Sequence, residues 1–329
     1  MWRTARIAVI AFVVFLLSLA PISAQEPKHI LLVLGKPGAK LLMVDPEAKK
    51  IIAEVPTGTG PHEVAVSEDG KLAFVANYGD QTPGDSLSVI DLVVHKEIRR
   101  RNLGALRRPH GIVQIGGKIW FTAEVNKVVA RYDPAADAVD WIEGTGQDTT
   151  HMLVVAPNQK KIFTANIQSD SVSVLETRGA SQNWRVTNIA VGKGPEAIDL
   201  SPDGKEVWTA HSGDGGVSII DAETEKVKET IPSLTRHSNR LKFTPDGKLV
   251  LISDAESNQV LAIESSSRKL LKRIPVCAQP LGIQMAPDNR QAYVACAQSG
   301  QVAILDLSSL SQTGTIDVAP GIDGMAWVR

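Results

Sequence analysis

The stretch Pro61 to Asp91 reads PHEVAVSEDGKLAFVANYGDQTPGDSLSVID. Its apolar runs are short and rich in Val, Ile, Leu and Phe. Between them stand Glu68-Asp69-Gly70 and the longer polar segment Asp80–Asp85. Short runs of this kind bounded by Gly, Pro, Asp and Asn are strands joined by turns. No window along the chain sustains a 3.6-residue period, so helices are expected to be nearly absent.

The same grammar recurs. Turn triplets fall at Pro157–Gln159, Pro202–Gly204, Pro245–Gly247 and Pro287–Asn289. After them come runs ending in small or polar residues: LAFVAN, IWFTAE, KIFTAN, VWTAH, VLISD and AYVAC. A third run then closes on an acid: LSVID, VARYD, VSVLE, VSIID, VLAIE and VAILD. A weaker fourth run follows. The repeats start near residues 61, 109, 150, 195, 238 and 280, a period of roughly 40 to 48 residues. Four strands per repeat make one propeller blade, which cannot bury both sheet faces alone. Residues 27–60 hold three runs that match strands two to four of a blade. Residues 320–329 hold one run that matches a first strand. Joined, they complete a seventh blade. The expected fold is therefore all-β, a seven-bladed β-propeller of four-stranded antiparallel blades. Pairing the two ends within one sheet would close the ring.

Composition suits a globular chain, with 43% hydrophobic residues, 22% charged residues and a net charge of −1. Disorder is excluded on that basis, and so is the electrostatic case for nucleic acid. Residues 1–24 combine Arg3 and Arg6, an apolar run from Ile7 to Ala20 and a small residue at Ala24. This is the pattern of a cleaved secretory signal peptide, and the run is short for a membrane span. The expectation is a monomeric exported domain over residues 25–329, periplasmic or extracellular, with no later span.

FVANYG, IFTAN and YVACAQSG, each followed by a strand ending in an acid, resemble the YVTN β-propeller repeat family. The chain is similar to YncE-like propellers within it, and more loosely to lactonase-type and streptogramin-lyase propellers. The PHGI…IWFT wording resembles the lyase repeats in particular. The resemblance implies a seven-bladed exported ring. The fold hosts many unrelated functions, so the activity must be argued from the site.

Superposed repeats give three informative columns. The acids closing the third strands, Asp45, Asp91, Asp133, Glu176, Asp221, Glu264 and Asp306, are read as turn-capping carboxylates. The column that starts the inner strands reads His62, His110, His151, Glu196, Asn239, Leu281 and Asp323. The column that ends the second strands reads Asn77, Glu124, Asn166, His211, Asp254 and Cys296. An antiparallel hairpin brings these two columns to one end, so they should ring one mouth of the central channel as a polar funnel. His62, His110 and His151 lie in three adjacent blades. Neutral imidazoles with carboxylates suit a divalent metal ion, and the same groups suit acid–base work.

Cys277 and Cys296 fall at this mouth. In an exported chain they are read either as a disulfide or as soft metal ligands. No G-x-S-x-G elbow, CxxCH or phosphate loop occurs, so a covalent hydrolase, a cytochrome c and a nucleotide enzyme lack support. Two functions stay open. One is a binding scaffold for a protein, peptide, glycan or small ligand. The other is a metal-assisted lyase or lactone hydrolase, with His62, His110 and His151 on the ion and Glu124, Glu196 or His211 as catalytic candidates. Single-stranded nucleic acid binding is disfavoured by the charge and by only three Tyr and six Phe.

Overall fold

A computed structural model describes residues 29–177 and 183–328, and residues 1–24, expected above to be a signal peptide, lie outside them. The described residues form seven four-stranded antiparallel sheets. Sequence order runs from the inner to the outer edge in six of them. The seventh, blade 1, takes Ile322–Val328 as its inner strand, paired with Ile30–Gly35. Blades 2 to 7 begin with Pro61–Val66, Pro109–Ile115, Thr150–Val155, Pro195–Leu200, Ser238–Phe243 and Pro280–Met285. The one helical element among the described residues is the 3-10 turn Ile167–Ser169. No helix there is long and apolar enough to cross a membrane.

The core lies between blades. Blade 2 contributes Phe74 and Leu87 to a cluster with Phe121 and Tyr132 of blade 3, all buried. Alternate residues of a strand face opposite sides of the sheet, so each blade packs against both neighbours. The outer strands carry little of this. Lys226–Ile231, for example, is exposed over nearly its whole length.

The five aspartates of the acid column cap turns as expected, whereas Glu176 pairs with Lys161 and Arg185 and Glu264 accepts from the Ser267 hydroxyl. Asp91 accepts the N–H groups of Val93 and Val94, Asp221 those of Glu223 and Thr224, and Asp306 those of Ser308 and Ser309. These carboxylates belong to the repeat and lie away from the funnel.

One local device positions the site. The residue before the inner strand has a positive φ in six blades: Gly60, Arg108, Thr149, Gly194, Gln279 and Gly321. Immediately after the strand's first residue, the pairing with the second strand slips in every one of these blades and in blade 6. A bulge re-aims the side chain it carries. The residue so re-aimed is the column that begins with His62. Glycine follows that column where the blades approach most closely. A Cβ on Gly111 would sit 2.7 Å from the carbonyl oxygen of His151, and one on Gly324 would sit 2.3 Å from that of His62. The Thr122 hydroxyl completes the join, accepting from Gly111 N–H at 3.0 Å and donating to His151 O at 2.5 Å.

Candidate functional site

Three imidazoles lie in a row at the mouth, His110 stacked on His151 and His62 tilted by 50° against His110. The His62 and His110 rings lie 4.1 Å apart, and the His110 and His151 rings 3.7 Å apart at an interplanar angle of 29°. Tyr78 meets the edges of His62 and His110 at 5.1 and 5.4 Å. His110 sits in the middle, 1% exposed. Neither of its ring nitrogens has a hydrogen-bond partner among the described residues.

Each flanking ring is held by a different set of charges. On one side, His151 Nδ1 donates to Glu124 Oε1 at 2.5 Å, and Tyr78 Oη donates to Glu124 Oε2 at 2.6 Å. With its proton on Nδ1, His151 keeps the Nε2 lone pair for a ligand, the usual way a carboxylate orients a metal-binding histidine. On the other side, Lys36 Nζ donates to His62 Nε2 at 2.8 Å and pairs with Asp323 Oδ2 at 2.6 Å. An ammonium has no acceptor, so His62 Nε2 is the accepting nitrogen and Nδ1 carries the proton.

The donor atoms of His110, Glu124 and His151 lie within 4.8 Å of one another, a set that can hold a metal ion. His62 stands outside that set, with Lys36 on its Nε2. Burial, reinforced by the Lys36 charge, holds His62 well below the ordinary imidazole value against the pull of Asp323. Burial and the neighbouring His151 and His62 do the same to His110. Both rings are therefore neutral near pH 7, the state that ligates metal. Burial and Glu124 push the Tyr78 phenol up to about 12, so its proton stays on.

A stability profile should register these rings. The unfolded chain protonates them near the ordinary value of 6.5, whereas the folded chain resists. Their contribution is present above that pH and lost as pH falls below it, by up to about 1.4 kcal/mol per unit for each ring. Urea denaturation of metal-free protein from about pH 8 down to about pH 5 should show this slope, and His110→Leu should reduce it to the part that His62 contributes. An unchanged slope in that variant would remove His110 as its source.

Under the stack, the channel is crossed by a buried ion pair. Arg240 of blade 6 donates to Glu63 of blade 2. It also contacts Met152 Sδ of blade 4 at 2.9 Å and lies 3.8 Å from Asp323 Oδ1 of blade 1. Burial raises Glu63, opposed by Arg240. For Asp323, burial also works upward, but Lys36, His62 and Arg240 overcome it and hold the carboxyl at about 2. Beyond this strut the opposite half of the channel is a cavity of about 370 Å³, walled by Val64, Ile112, Ile198, Ile283 and Met325.

The other candidates are placed elsewhere around the mouth. Glu196 accepts from Asn239 Nδ2 at 2.6 Å and lies 3.9 Å from His237 Nε2. His211 is fully buried, with Nδ1 3.0 Å from Asp214 Oδ1. Asn77 bonds Ser86 and Ser88, Asn166 bonds Ser171 and Ser173, and Asp254 accepts the backbone N–H groups of Arg236 and His237. These last three tie strands and loops together. Cys277 and Cys296 form a disulfide with Cα atoms 5.7 Å apart, so they are not soft ligands here.

Lys36, Tyr78, Glu63 and Arg240 were not among the sequence candidates, yet each had a signal. Lys36 and Tyr78 share the column one step beyond the second-strand ends. Glu63 and Arg240 are the charged members of the column after the histidines, which otherwise reads Gly111, Met152, Ala197, Gly282 and Gly324.

Comparison with known proteins agrees with this architecture. The profile of a family described as "Lactonase, 7-bladed beta-propeller" matches residues 122–327. Antigen Lp49 of Leptospira interrogans is 23% identical over 274 residues, covering 78% of this chain and 58% of that protein. YncE of Salmonella typhimurium is 22% identical over 212 residues, covering 60% of this chain and 59% of that one. The matches thus span under three fifths of those relatives' own length. Among solved structures, Kuenenia stuttgartiensis hydrazine synthase superposes with a TM-score of 0.76 at 19% identity, over 85% of this chain and 92% of that one.

Proposed function

The chain belongs to the lactonase-type seven-bladed β-propeller family, and from that premise we propose that it is an exported binding protein whose funnel holds a divalent metal ion. His110 and His151 would hold it, with Glu124 orienting His151 through Nδ1, and the ion would supply a Lewis-acid centre for a ligand entering the mouth. The observation that carries this reading is His110, buried with both ring nitrogens unpartnered. A buried polar group left without a partner costs about 1–3 kcal/mol, and a metal ion on the lone-pair nitrogen of the ring would offset part of that cost. The neutral state of the ring and the Glu124–His151 bond support the same reading.

The test is calorimetric titration of metal-free protein with zinc, alongside thermal melting with and without chelator. One equivalent of zinc bound, with a higher melting temperature that chelator reverses, is the expected result. No uptake and no chelator effect would sink the proposal.

A second reading, metal-assisted hydrolysis or elimination, is favoured by one observation. Tyr78 keeps a proton on an oxygen 2.6 Å from Glu124, at the edge of the histidine stack. In that role Tyr78 would turn its one O–H from Glu124 Oε2 to a bound ligand while Glu124 orients His151.

A further inference from the structure

Among the described residues the spare donors of the mouth sit on its cations, and the spare acceptors are single oxygens, Asp323 Oδ1 and Asn239 Oδ1, on side chains whose other polar atom is engaged. Each carboxylate around the stack already has donors. Asp323 has Lys36, Glu124 has both His151 and Tyr78, Glu63 has Arg240, and Glu196 has Asn239. The cations are less engaged. An ammonium has three N–H donors, and Lys36 directs one at His62 Nε2 and one at Asp323 Oδ2. Its side chain is 31% exposed, against 2% for the Asp323 it pairs with. Arg108 stacks its guanidinium over the Tyr78 ring at 4.6 Å and directs one N–H to Asp80 O at 3.0 Å, which leaves most of its five donors for solvent.

The arrangement in depth matters as much as the spare donors. Lys36 touches the edge of His62, and His62 lies against His110. The ammonium is thus one imidazole away from the ring with unpartnered nitrogens. It is also fixed in place. The Lys36 N–H donates to Gly321 O at 3.1 Å, and its carbonyl accepts from Ala39 at 3.2 Å, which ties the turn between Ile30–Gly35 and Lys40–Asp45 to the closing blade.

We infer that the ligand of this funnel is a small organic carboxylate, which meets the metal at His110 and His151 on one side and the Lys36 ammonium on the other. The inference rests on the metal reading above and adds to it the ligand's chemical class and Lys36 as the residue that selects it. A cation finds no unpaired carboxylate here, and an uncharged apolar ligand would strand the Lys36 and Arg108 donors. A carboxylate matches the spare donors and the metal together, and charge-assisted hydrogen bonds are the stronger kind.

The experiment uses protein loaded with cobalt(II), whose visible absorption reports both uptake of the metal and any ligand that reaches it. Lactate is the carboxylate probe and glycerol the neutral control. Wild type should show a lactate-dependent spectral change that glycerol does not produce. Lys36→Gln, whose amide N–H can still donate to His62 Nε2, should take up cobalt but require at least about 10-fold more lactate, the equivalent of one lost charge-assisted bond. Lys36→Arg should recover most of the response, which separates a lost charge from a disturbed turn. Cobalt uptake with no lactate response, or with an equal response in Lys36→Gln, overturns the carboxylate inference and leaves the metal reading standing. Failure of wild type to take up cobalt overturns the metal reading and this inference with it.

Discussion

His110→Leu is expected to lose metal binding while the metal-free protein keeps or slightly gains stability. His110 lies between two rings, buried, with both nitrogens unpartnered. Such nitrogens were taken from water on folding without compensation, at about 1–3 kcal/mol. Leucine removes them and still fills space against His62, His151 and Tyr78. Loss of a ligand should weaken zinc affinity by at least about 100-fold, since removing even a ligand's hydrogen-bond partner costs 10–100-fold. Calorimetry for zinc and urea denaturation for the metal-free fold measure the two effects separately. A variant that loses several kcal/mol without metal would show that His110 is a packing residue. Unchanged zinc affinity would place the metal elsewhere.

Arg240→Met should destabilise the protein by about 3–5 kcal/mol, the usual cost of removing one partner from a buried ion pair. Arg240 and Glu63 side chains are 7% and 11% exposed, and Asp323 is nearby at 2%. Without the guanidinium, Glu63 has no counter-ion and Asp323 keeps only Lys36. The deficit should shrink in acid, because the stranded Glu63 can be protonated, and burial already pushes its pKa upward. Adding Glu63→Gln should recover part of the loss, since a neutral amide costs less in that position. Urea denaturation of the single and double variants at two pH values checks both points. A loss below about 1 kcal/mol would mean that the strut is hydrated and contributes no more than a surface pair.

The fold was legible because its signals are local and repeat. Run length, turn residues and the acid at the end of each third strand are read one blade at a time, and the register agrees with them. Asn77 pairs with Pro61, His211 with Pro195 and Cys296 with Pro280, which sets the two funnel columns side by side. The leftover strand at the C-terminus needed only a partner, and Ile30–Gly35 provides it.

The funnel was legible as a set of columns but not as a set of contacts. The repeat pattern says that His62, His110 and His151 begin neighbouring inner strands. It does not say that the His110 and His151 rings stack, that Glu124 turns to His151, or that Lys36 occupies the nitrogen of His62 that a metal would need. Those outcomes depend on the bulge after each strand's first residue and on how closely the glycine-spaced blades approach. The Arg240–Glu63 strut joins residues 177 positions apart. Blade grammar puts them in one column of a ring, but only the closed ring sets them across its axis. The sequence by itself determined the blade, the number of blades and the end at which the polar residues gather, because each follows from neighbours along the chain. Tertiary structure alone decided which histidine is unpartnered, which is held by a carboxylate and which is held by lysine, because those relations form between blades, across distances that no local pattern encodes.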